Sequence, residues 1–92
     1  MDETSSEHAA ALADEARRAR ILRTVVDLTS SVLRQERLSF AEADALVRAT
    51  RKRALELFPD KGDTYDLILA PRFARILKEQ FGVVPFQRTK FE

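Results

Sequence analysis

"LFPDKGDTYDLILAPRF", residues 57–73, decides how many helices this chain has. A helical apolar pattern runs into it, stops for Pro59, Asp60, Gly62 and Asp63, and resumes with a second proline, Pro71, inside the resumed part. Proline lacks an amide hydrogen and glycine is conformationally free, so Pro59 and Gly62 together mark a turn between two helices. Asp60, Asp63 and Asp66, evenly spaced beside Tyr65, raise the alternative of a cation loop. A helix-loop-helix calcium site needs oxygen ligands at its first, third and fifth positions, glycine at the sixth and glutamate at the twelfth. Counted from Asp60, the third, fifth, sixth and twelfth positions hold Gly62, Thr64, Tyr65 and Pro71, so the ligand spacing fails. The carboxylates read instead as helix-start residues, Asp63 or alternatively Asp60 capping a third helix and the others lying near the positive end of its dipole. No metal and no cofactor is expected.

Upstream of the turn, "RQERLSFAEADALV" (34–47) places Ser39 three residues before Glu42, a spacing at which each side chain satisfies the other's backbone amide at a helix start. The helix so opened carries Phe40, Ala43, Val47, Thr50, Ala54 and Leu57 on one face, widened by Leu46 and Phe58. Farther upstream, Ala9 to Arg37 contains no glycine or proline, and Leu12, Ala16, Ala19, Leu22, Val26, Thr29 and Leu33 recur at spacings of three and four. A second stripe, Ile21, Val25, Leu28 and Val32, opens only in the C-terminal half. The first half of this helix therefore offers a narrow alanine seam, and residues 21–33 a broad face expected to be largely buried.

Downstream, Tyr65, Ile68, Leu69, Phe73, Ile76, Leu77 and Phe81 keep one helical phase, and Gly82 stands where a left-handed cap belongs. Pro71 interrupts this pattern at a cost of ~3 kcal/mol if unrelieved, so the third helix is expected to kink at Ala70 or to break and restart. The fold expected is an all-α bundle of three main helices, at about 9–37, 39–58 and 63–81. These make one helical domain, 9–82, between a frayed acidic start, 1–8, and an extended tail, 83–92.

The composition of the 92 residues, 45% hydrophobic and 34% charged, is that of a globular chain rather than a disordered one. Zero cysteines exclude a disulfide framework and a thiolate zinc site, and they fit a reducing compartment. With no apolar run long enough for a bilayer and an acidic start unlike a secretory signal, a cytoplasmic protein is expected. The net charge of +1 is uneven: residues 1–16 hold five acids and no Lys or Arg, leaving sixteen bases against ten acids, +6, in the rest.

Catalytic patterns are missing. There is no glycine-rich phosphate loop, and the single histidine, His8, lies in the polar start, where nothing would hold it beside a nucleophile. Asp27, at the edge of the broad apolar region, has Arg23 four residues before it as an ordinary surface partner. No enzyme is expected.

Two surfaces remain. The alanine seam permits close approach of another helix backbone, and the first helix is too long for two shorter ones to cover. The preferred function is therefore a non-catalytic interaction or assembly module. It would be a homodimer through Leu12, Ala16, Ala19, Ile21 and Val25, with another protein as a further possible partner. The second reading is a nucleic-acid-associated protein using Arg48, Arg51, Lys52, Arg72, Arg75 and Lys78. Acids four residues away from several bases, such as Asp44 before Arg48 and Glu56 after Lys52, weigh against it. The tail residues Val83, Val84 and Phe86 are expected to close the bottom of the bundle, and the Tyr65 to Phe73 face around Pro71 is the place to seek a ligand pocket.

Overall fold

The structure is a computed structural model that describes residues 3–35 and 37–82. It contains three helices, α1 (Glu3–Gln35), α2 (Phe40–Leu57) and α3 (Gly62–Phe81), each packed on the other two, and no strand among the described residues. The all-α bundle read from the periodicity is the fold observed. The expected tail, 83–92, lies outside the described residues.

The start of α2 is as the spacing predicts: the Glu42 amide donates to Ser39 Oγ (3.1 Å) and the Ser39 amide to Glu42 Oε1 (2.9 Å). Its end is set by Pro59, after which the Lys61 amide closes a turn onto the Phe58 carbonyl (3.1 Å). That turn brings Lys61, not Asp63 or Asp60, to the cap position of α3, with no side-chain cap bond, and Gly62 is already helical. Asp63 falls in the first turn, where its charge faces the positive helix end. At the far end Gly82 takes the left-handed conformation (φ 76°) and its amide donates to Lys78 O (2.8 Å), as expected.

One expectation on helix bounds is corrected and one choice is narrowed. α1 begins at Glu3, so residues 3–8, read as frayed, belong to the helix; nothing from Glu3 to Gln35 breaks one, and Glu7 suits its positive end. Of the two alternatives at Pro71, the break and restart is the one overturned: α3 runs as one helix through the proline. Pro71 is exposed, and the carbonyl it fails to serve belongs to Leu67, itself 78% exposed, on a side where water is at hand. Burial of Phe73, Ile76 and Leu77 beyond the proline, each worth about 1.5 to 3 kcal/mol, holds the helix in phase.

The core is built from Val26 and Leu33 of α1, Ala43, Ala54 and Leu57 of α2, and Tyr65, Phe73, Ile76 and Leu77 of α3. One polar pair sits among them, the Thr29 and Thr50 hydroxyls 2.7 Å apart. Thr50 also donates to Leu46 O (2.9 Å), so Thr29 supplies the proton between them. The second α1 stripe is less covered than expected: Ile21, Val25 and Val32 are half-buried and Leu28 is 59% exposed, because α2 reaches only its near edge.

Candidate interaction surfaces

The 33 residues of α1 span about 50 Å, against about 30 Å for α3 at the same rise per residue. The excess projects from one end of a molecule 58 Å long. Arg18 marks where support stops: its guanidinium donates to the Leu57 carbonyl (2.8 Å) and lies over the Phe58 ring, 5.1 Å from its centroid. Every residue from 5 to 17 is exposed, Leu12 by 54%. Ala9, Ala13 and Ala16 flank Leu12 on this overhang and leave a shallow apolar track.

The five residues expected to form one association face divide. Leu12 and Ala16 lie on the overhang, and Ala19, also exposed, stands where the track meets the bundle. Ile21 and Val25 are half-buried beside Arg17, Arg20 and Thr24, and Val25 also borders the α1–α2 groove with Leu28 and Leu46. Leu12 and Ile21 are nine residues apart, about two and a half helical turns, which puts them on opposite sides of α1. That separation was available in the spacing.

Past Ala19 the track opens into a cleft of about 410 Å³ between α1, α3 and the end of α2. Leu22, Val26, Phe58, Tyr65 and Leu69 contribute its apolar walls, with Ile68, 64% exposed, at the lip. The Tyr65 to Phe73 region thus does border a cavity, through Tyr65, Ile68, Leu69 and Arg72, while Pro71 does not line it. Tyr65 is 5% exposed and its hydroxyl has no hydrogen-bond partner among the described residues. Burial pushes this phenol up to about 12, against the pull of nearby Arg51, so it stays a neutral donor at physiological pH. Leu22, Phe58 and Lys61 were not singled out as site residues, since a cleft formed by three helices leaves no periodic trace in any one of them.

Charged side chains edge the cleft unequally: Arg23, Lys61 and Arg72 face a single carboxylate, Asp27. Among the described residues none of these four has an ion-pair partner, so the expected Arg23 to Asp27 pairing is not formed. Elsewhere acids hold the bases. Asp14 takes Arg17 (2.8 Å) and Arg18 (3.1 Å), and the Arg17 hydrogen bond holds its carboxyl below the ordinary range. Arg48 pairs with Asp44, and Arg53, rather than Lys52, pairs with Glu56 (3.3 Å).

Arg51 reaches across helices in a two-pronged contact with Asp66, Nε to Oδ1 at 2.9 Å and Nη2 to Oδ2 at 3.0 Å. That hydrogen bonding lowers the Asp66 pKa and raises that of Arg51. The basic set proposed for nucleic acid is therefore spread out. Arg48, Arg51 and Lys52 border one shallow surface hollow on α2, Arg72 edges the cleft on the α1 side of α3, and two of the six are tied to acids.

Among the described residues no group of His, Asp and Glu is placed to hold a metal ion, and no helix is long and apolar enough to cross a membrane. His8 is exposed on the overhang. Comparison with protein-family models, with curated proteins and with solved structures gives no match for this chain.

Proposed function

We propose that this chain is a non-catalytic assembly module that pairs with a second copy through the overhanging half of α1. The observation that carries the reading is the exposure of residues 5–17 on a helix that would be only marginally stable alone over that length. Leu12 and the alanines beside it give a partner helix a close approach. An antiparallel arrangement about a two-fold axis near Leu12 sends the two bundles to opposite ends, where they do not collide. Ile21 and Val25, on the other side of α1, stay outside this interface.

The test compares two exposed leucines by light scattering of the eluting protein. Leu12→Glu is expected to turn a dimer into a monomer, and Leu28→Glu to leave it dimeric. Dissociation by Leu28→Glu alone would move the interface to the α1–α2 groove and overturn the proposal.

A further inference from the structure

We propose that the cleft between α1 and α3 binds a single-chain amphipathic carboxylate, its apolar chain among Leu22, Val26, Phe58 and Leu69 and its head group at the Arg23, Lys61 and Arg72 edge. This inference does not rest on self-association: apart from Ala19, where the track meets the cleft, its residues belong to the bundle and not to the overhang.

Three observations on the cleft agree. Its volume of about 410 Å³ falls in the range of small-ligand sites, and a chain of about ten carbons fills such a space. Its walls are apolar apart from their edge, so a ligand with polar groups along its body would lose hydration without return. The edge is where charge is concentrated, three cations to one carboxylate, and none of the four is neutralised by a neighbour among the described residues. An anionic head is favoured there over a neutral or cationic one.

The start of α3 borders the same cleft: Lys61, its cap residue, and Thr64 of its first turn both line it. A nucleotide is a poorer fit, because the cleft offers no glycine-rich backbone to cradle phosphates.

The experiment titrates the full isotope-labelled chain with decanoate below its aggregation concentration and follows backbone amide shifts. Saturable shifts are expected at Ala19, Leu22, Ile68 and Leu69. Affinity should fall about 2- to 4-fold for each methylene removed from the chain. Decanol should bind about 5- to 10-fold more weakly, and acetate not measurably. Arg72→Gln and Lys61→Gln should each weaken decanoate several-fold while leaving decanol unchanged, and both residues are exposed, so folding is not at risk. Equal affinity for decanoate and decanol, shifts confined to Leu28, Val32 and Leu46 in the α1–α2 groove, or no saturation would each overturn the proposal.

Discussion

The guanidinium of Arg18 donates a hydrogen bond to the carbonyl of Leu57, 39 residues later in the chain, at the level where α1 leaves the bundle. Leu57 ends α2, and its carbonyl is among those that a helix terminus leaves without an internal partner. The same guanidinium covers the ring of Phe58. One side chain thereby closes the end of α2 and anchors the root of the overhang, even though Asp14 also holds it.

Replacing Arg18 by Ala removes both contacts and should cost about 1 to 2 kcal/mol in urea unfolding. Arg18→Lys should recover only part, since an ammonium lacks the flat surface that lies on the ring. Equal stability of all three proteins would mean that the end of α2 is satisfied by water alone.

The Thr29 and Thr50 pair predicts an asymmetry. Thr50→Val leaves the Thr29 hydroxyl buried with no partner and should cost about 1 to 3 kcal/mol. Thr29→Val leaves Thr50 its bond to Leu46 and should cost about 0.5 to 1.5 kcal/mol. The double variant should lose less than the sum, which a double-mutant cycle reads directly.

Pro71 is tolerated rather than required. Pro71→Ala restores a helical amide on an exposed site and should stabilise the fold by about 1 to 3 kcal/mol, less the rigidity that proline lends the unfolded chain. Destabilisation in thermal melts would show that the ring has a packing role.

The pH response of the Arg51–Asp66 contact follows from the lowered carboxyl. Its contribution is fully present above the unfolded carboxyl pKa of about 3.9 and is lost as pH falls through the lower folded value. Both side chains are about half exposed, which caps the contribution near 1 kcal/mol and makes it sensitive to salt. Asp66→Asn should therefore be less stable than the parent at neutral pH, with the difference vanishing once pH falls below the lowered folded value. A difference that persists at the lowest pH would assign the effect to something other than charge.

Features set by near neighbours in the chain were legible. Ser39 with Glu42, Pro59 as a stop and Gly82 as a left-handed cap all act within one helical turn, so their spacing carries the information. Asp63 misled because the turn from Phe58 to Lys61 advances the start of α3 by one residue, a geometry that residue type does not encode. The face of α1 was legible as a stripe, yet how far it is covered depends on where α2 and α3 end, not on α1 itself. Arg51 with Asp66 joins two helices, and the cleft joins Ala19 to Ile68; sequence spacing has no period at such separations.

The central claim is self-association through the overhang of α1, and sedimentation equilibrium of the unmodified chain over a wide concentration range tests it most directly. The account predicts a reversible monomer–dimer equilibrium whose dimer fraction rises with concentration. A single species of monomer mass, 10.5 kDa, at the highest concentration reached would contradict it.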